Sequence, residues 1–257
     1  MSGRALLEIS GLTKRFGGLE AVSGVDFVCR EKETLGIIGP NGAGKTTLFN
    51  LITGFTVPTE GRITFDGKNI TGARPHRIVN HGIARTFQGV RLFRGMTVWE
   101  NVWLAQNALV NFMFPTFFSS RGREESLRAE AEQLLSDFHL LGKKDSKAGD
   151  LAFGDMRRLE ICRALATQPK LLLLDEPASG LTPVETKQLI EDLRRLSRTG
   201  VTIAIIEHDM NVALGLSDQM VVLNFGKLLS TGTPDEIRNN PQVIEAYLGT
   251  AAEDVDA

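Results

Sequence analysis

The stretch GPNGAGKT, Gly39 to Thr46, constrains the fold of this chain more than any other. It follows an aliphatic run at 34–38 that reads as a strand, and it opens into residues 46–52, which read as a helix closed at Gly54. Glycines at 39, 42 and 44 keep the tightest part of the loop free of side chains, so successive backbone N–H groups can face one anion. The helix brings the positive end of its dipole to the same point. Gly39, Pro40, Asn41, Gly42, Ala43, Gly44, Lys45, Thr46 and Thr47 together make a seat for a polyphosphate. Lys45 would reach the outer phosphates, and the Thr46 hydroxyl is placed to ligate Mg²⁺.

Around this loop the chain alternates strand and helix. Residues 6–9 and 25–29 read as strands, and GRITFDGKNI as a hairpin turning at Asp66-Gly67. A short helix at 75–80 leads to a strand at 83–87. Thr97-Val98-Trp99-Glu100 is a capping box, and from there the pattern is helical to about residue 165. Alternation then returns. Residues 170–174 and 201–206 are apolar runs of the kind buried on both faces of a parallel sheet, and the helix between them carries Leu189, Ile190, Leu193 and Leu196 on one stripe. A hairpin around Phe225-Gly226 follows, then a capping box from Thr233 with Pro234 at the first helical position.

The 257 residues, 42% of them hydrophobic, suffice for one large domain. Its α/β core is expected over 1–89 and 166–250, with a helical subdomain inserted at 90–165 and a tail, 251–257, that frays. A formal charge of −2 leaves no basic footprint for nucleic acid. Cys29 and Cys162 have no metal-like or redox-like spacing and read as reduced, buried thiols of a cytosolic chain. The N-terminus has no signal-peptide core, and no apolar run approaches the roughly 20 residues that span a bilayer.

The second half of the site lies at the ends of the later strands. LLLL, 171–174, ends in Asp175 and Glu176. Asp175 would hold Mg²⁺ through its water shell, and Glu176 would polarise an attacking water. Standing alone, the two acids would read as a solvated strand end. His208 follows the next parallel strand and would face the same crevice, toward the terminal phosphate. Gln88, after the strand at 83–87, could add an amide oxygen to the metal.

These motifs, in this order, resemble the nucleotide-binding subunit of ATP-binding cassette transporters over nearly the whole chain. GPNGAGKT resembles the Walker A motif, Gln88 the Q-loop, LLLLDE the Walker B motif and His208 the switch histidine. Phe16, in KRFGG, stands where the family stacks an aromatic ring on adenine. LAFGD, 151–155, stands where the family places its signature, usually LSGGQ. More narrowly, RTFQGVRLFRGMTVWENV, RRLEICRALATQPKLLLLDEPASGL, IIEHDM and NNPQVIEAYLG resemble one ATPase subunit of branched-chain amino acid importers.

The resemblance implies a RecA-like P-loop NTPase core with an antiparallel β layer and an inserted helical subdomain. It implies ATP and Mg²⁺ as ligands, with Thr46, Gln88 and Asp175 around the metal, and hydrolysis by Glu176 with His208. Ala152 and Gly154 would cover the nucleotide of a second ATPase subunit paired head to tail. The other partners implied are membrane permease subunits and, through the complex, an extracytoplasmic solute-binding protein. The location implied is peripheral, at the cytoplasmic face of the inner membrane. Urea, short amides or exported lipopolysaccharide stay open as cargo, because such an ATPase never meets the solute. A soluble relative of DNA repair or translation would carry long coiled coils or two cassettes, and this chain has neither. Glu176 and His208 argue against a regulatory module that does not hydrolyse.

Four departures from the family pattern stand out, three of them in the signature. Ala152 lacks the usual hydroxyl, Phe153 replaces a glycine and Asp155 replaces a glutamine. Asp155 allows two readings: a charge that raises the cost of closing a pair, or a residue that stabilises the first helical turn. SGLT, 179–182, replaces S-A-L-D, while Thr182 to Glu185 still make a capping box. The insertion NALVNFMFPTFFSSRGR gathers Phe112, Phe114, Phe117 and Phe118 around Pro115 and ends in a polar turn at Arg121, Gly122 and Arg123. It reads half as core and half as a contact surface for membrane subunits or the bilayer.

Overall fold

The computed structural model describes residues 3–113 and 121–253. The chain opens with β1 (Ala5–Phe16), β2 (Leu19–Arg30) and β3 (Thr34–Ile38), then α1 (Lys45–Ile52). β4 (Glu60–Phe65) and β5 (Lys68–Asn69) follow as a hairpin, with Asp66 and Gly67 both at positive φ (49° and 73°) in its two-residue turn. Then come α2 (Pro75–Asn80), β6 (Ile83–Arg85), α3 (Val98–Met113), α4 (Arg121–Asp137), two short 3₁₀ turns, α5 (Phe153–Leu165) and β7 (Leu171–Asp175). The chain ends through α6 (Pro183–Arg198), β8 (Thr202–Ile206), α7 (Met210–Leu216), β9 (Gln219–Asn224), β10 (Lys227–Gly232), α8 (Pro234–Arg238) and α9 (Pro241–Glu253). The capping boxes at Thr97, Thr182 and Thr233 all form, each hydroxyl and glutamate exchanging bonds with the other's backbone N–H.

Two sheets result. One is antiparallel, in the order β2-β1-β4-β5; the other runs β10-β9-β3-β8-β7-β6, parallel from β9 to β6 with β10 antiparallel at its edge. Between the sheets, around α1, packs a core that includes Leu12, Val25, Leu48, Phe49, Ile63 and Leu173. Leu172, Leu174, Ile203 and Ile205 point the other way, into a second core with Val102, Leu135, Leu159 and Leu189 of the helices. The alternation along β7 and β8 explains why both strands are apolar throughout. Cys29 and Cys162 are both free and buried, and burial pushes both thiols up.

Three sequence expectations meet differences, and a fourth falls outside the described residues. β6 stops at Arg85, two residues early; beyond it the carbonyls of Phe87 and Gln88 accept from Arg157 rather than from a strand. Arg121, Gly122 and Arg123 begin α4 rather than form a turn. α9 continues through 251–253, so that part of the expected frayed tail is helical; 254–257 lie outside the described residues. Phe114, Pro115, Phe117 and Phe118 also lie outside them, as does the Phe112 side chain.

The register sets the site. Ile37 pairs with Ile206, and Ile206 with Asp175, so β3, β8 and β7 end level. The phosphate-type loop, Glu207-His208 and Glu176 therefore leave the sheet at one edge, with β8 between the other two strands. Ligands of open parallel sheets bind at this carboxyl edge.

Candidate functional site

The loop between β3 and α1 is shaped by Gly44, whose φ is 97° and whose added Cβ would lie 2.3 Å from the Ala21 carbonyl oxygen. Only glycine fits there. Gly44 also caps α1 without any side-chain bond, so no side chain occupies the helix's N-terminal N–H groups. Lys45 is buried and its Nζ donates to the carbonyls of Gly39 (2.6 Å) and Pro40 (2.9 Å). Burial lowers its pKa, against the opposing charges of Glu176 and Asp175. The loop's own carbonyls thus hold a cation that an anion could draw outward. Thr46 is exposed and Thr47 half-buried at the start of the helix. Phe16 faces Leu19 across the β1–β2 pair, two residues from the Ala21 that packs on Gly44; its ring is half exposed, with Lys14 Nζ 4.9 Å from its centre.

Facing the loop, Glu176 sits at φ 48°, a left-handed conformation that strains a residue with a side chain. Its N–H is held by the Ile206 carbonyl at 2.9 Å, and its Oε2 accepts from Gln88 Nε2 at 2.9 Å. His208 Nδ1 stands 3.9 Å from the same oxygen. The structure therefore gathers Lys45, Gln88, Asp175, Glu176 and His208 at the sheet edge. Asp175 is buried, and Arg85 grips its Oδ2 at 2.6 Å while also donating to Asn50 (2.8 Å) and Thr53 (3.1 Å). Sequence reasoning missed Arg85. The available signal was a charged residue closing an otherwise apolar strand, Ile83-Ala84-Arg85.

Glu207 was missed as well. It is fully buried; its Oε1 accepts from the Ala178 N–H at 3.0 Å, and its Oε2 has no hydrogen-bond partner. Burial first, then the charges of Glu176 and Asp209, push its pKa up to about 7 from 4.5. Between these values the folded chain keeps a proton that the unfolded chain has lost. Stability should therefore fall as pH rises from about 4.5 to about 7 and level off above, a loss of about 3 kcal/mol from this group. Glu207→Gln should remove that component, so that urea unfolding of the variant across pH 4.5 to 8 is flatter than wild type by about this amount. Parallel profiles would mean the carboxyl is ionised throughout.

The start of α5 also belongs to the site. Ala152 is the N-cap, in extended conformation and with no side-chain cap, and Gly154 lies in the first turn. The helix begins at Phe153. The charge of Asp155 does not stand in this seat unopposed: Lys143 holds its Oδ2, and Arg158 lies 3.5 Å from its Oδ1. Of the two readings, the geometry carries the helix-turn one. If the chain pairs through this seat, Asp155→Gln should leave that pairing and its salt dependence unchanged while costing up to about 1 kcal/mol of stability, since both pairs are partly exposed or long. Tighter, less salt-sensitive association by light scattering would restore the repulsion reading.

Taken as chemistry, the edge offers a cradle of N–H groups, a buried cation, two carboxylates and a histidine, the parts of phosphoryl transfer to water. Comparison with known proteins agrees. The family model for ABC transporter matches residues 22–179, and that for branched-chain amino acid ATP-binding cassette transporter matches residues 227–253. The high-affinity branched-chain amino acid transport ATP-binding protein BraF of Pseudomonas aeruginosa is 48% identical over 258 residues, covering 96% of this chain and 99% of that protein. A crystal structure of the ADP conformation of an ATP-binding cassette of an ABC transporter superposes with a TM-score of 0.84 at 33% identity, over 95% of this chain and 99% of that one. A dimeric, post-hydrolysis cassette bound to ADP and Pi gives a TM-score of 0.75 at 26% identity, over 89% and 99%. The chain is an ATP-hydrolysing cassette that belongs to the ABC transporter family.

Proposed function

We propose that this chain powers uptake of branched-chain amino acids as one of two ATPase subunits, paired head to tail beneath membrane permeases. The observation that carries this reading is the match at 227–253, on β10, α8 and α9, which stand outside the phosphate site and so are not explained by ATP hydrolysis alone. Among the described residues no helix is long and apolar enough to cross a membrane, in keeping with a peripheral subunit at the cytoplasmic face that needs separate permeases. An extracytoplasmic binding protein would deliver the solute to them.

Within the site, Phe16 would stack on the adenine, and residues 39–47 would wrap the phosphates, with Lys45 leaving its two carbonyls for phosphate oxygens. Thr46, Gln88 and Asp175 would supply oxygen donors suited to Mg²⁺. Asp175 can serve while paired, because Arg85 takes one carboxylate oxygen and leaves the other. The metal would neutralise charge on the phosphates as the terminal bond breaks. Glu176, held by Gln88, would take the proton of the attacking water, and His208 would contact the terminal phosphate. The N–H groups around Ala152 and Gly154 would cover the partner's nucleotide.

The test is ATPase activity of the chain assembled with its permeases, with binding protein added. Leucine, isoleucine or valine should stimulate turnover severalfold. Stimulation by urea or short amides instead, or by lipopolysaccharide without any binding protein, would replace the cargo assignment.

A further inference from the structure

α5 does more than present a seat at its N-terminus. Arg157, in its second turn, is 4% exposed and donates to the Phe87 carbonyl at 3.0 Å and the Gln88 carbonyl at 2.5 Å. Three residues on, buried Glu160 lies 3.4 Å from Arg157 and accepts from the Arg91 N–H at 3.3 Å. Three further, Arg163 donates to the Arg91 carbonyl and lies 5.0 Å over the Phe93 ring. Residues spaced by three share a helix face, so this face grips four backbone groups between 87 and 91. Backbone groups that leave a strand must be satisfied elsewhere, and here one helix satisfies them.

The gripped segment carries the Gln88 side chain, which donates to Glu176. Phe153 packs over Gly180, four residues beyond Glu176, where an added Cβ would stand 3.0 Å from the ring; Arg157 lies 5.3 Å over that same ring. One helix therefore touches both the segment that carries Gln88 and the turn that follows this chain's own acid. Its N-terminus is meanwhile the proposed seat for a partner's phosphate.

We infer that Arg157 is a positioning residue, relaying closure of the α5 seat on a partner's nucleotide through Gln88 to Glu176 of the same chain. The relay rests on the proposed roles of Gln88 and Glu176. It needs the fixed fork of an arginine, since two carbonyls on successive residues must be held at once. A displacement of an ångström at a positioned base costs turnover on the order of 100-fold.

The experiment is a double-mutant cycle on the assembled transporter. Arg157→Gln is made with Glu160→Gln, so that no buried charge is left unpaired. Melting temperature and ATP affinity should stay near wild type, while kcat falls at least about tenfold with KM unchanged. On a Gln88→Ala background the same pair should cause no further loss, because the relay is already cut. Independent, multiplicative losses would overturn the relay, as would an unchanged kcat. If the pair melts early, Arg157→Lys enters the same cycle, keeping the charge beside Glu160 but spanning only one carbonyl. Glu176→Gln is run in parallel. Retained turnover there would sink the role of Glu176 itself, whereas an inactive Glu176→Gln with multiplicative losses sinks only the relay.

Discussion

Alanine at Lys45 is expected to weaken ATP binding about 100-fold, since charge-assisted bonds to two phosphates contribute about 3 kcal/mol and each 1.4 kcal/mol is tenfold. Lys45 is already buried at the loop and bonded to Gly39 and Pro40, so the bound cation need only turn outward, with no ordering of a flexible side chain. Its lowered pKa adds to the effect: a desolvated ammonium gains more from a phosphate than a solvated one does. Calorimetry with ATP on the folded variant reads the loss directly. Affinity within twofold of wild type would place the nucleotide elsewhere.

Glutamine at Glu176 is expected to leave ATP binding intact and to cut phosphate release by 100- to 10,000-fold, the usual contribution of a positioned base at roughly these magnitudes. The variant keeps the side chain's shape, so the φ of 48° and the bond to the Ile206 carbonyl remain. What it loses is the acceptor of a proton. The strained backbone supports the assignment, because left-handed conformations at residues with side chains persist where the surroundings impose them. Here β8 on one side and Gln88 on the other do so. Near-normal release would move the base, with His208, 3.9 Å away, next in line.

Where the chain's chemistry depends on neighbours in sequence, it could be read from sequence. GPNGAGKT announces its own turn because only glycine tolerates the contact of Gly44 with Ala21. Leu171 to Leu174 announces burial on both faces, and Asp66-Gly67 its hairpin. The capping boxes at Thr97, Thr182 and Thr233 needed only a spacing of three. What could not be read came from pairing at long range. No local pattern puts β8 between β3 and β7, and that order is what buries Glu207 beneath Ala178. The two readings of Asp155 stayed open in the sequence because Lys143, which pairs with it, lies a dozen residues back and reaches it only by tertiary packing. Arg85 and Arg157 likewise have partners distant in the sequence. The first is fixed by an aspartate 90 residues away, the second by carbonyls 69 and 70 residues back.

Hydrolysis and uptake measured together, in vesicles holding the permeases, the binding protein and this chain with its partner ATPase, test most directly that the site drives transport. Labelled leucine should accumulate only with ATP and Mg²⁺. Glu176→Gln should abolish accumulation and phosphate release together while the vesicles still bind ATP. Leucine accumulation that persists in the Glu176→Gln vesicles would contradict the claim that this carboxylate, in this chain, powers the transporter.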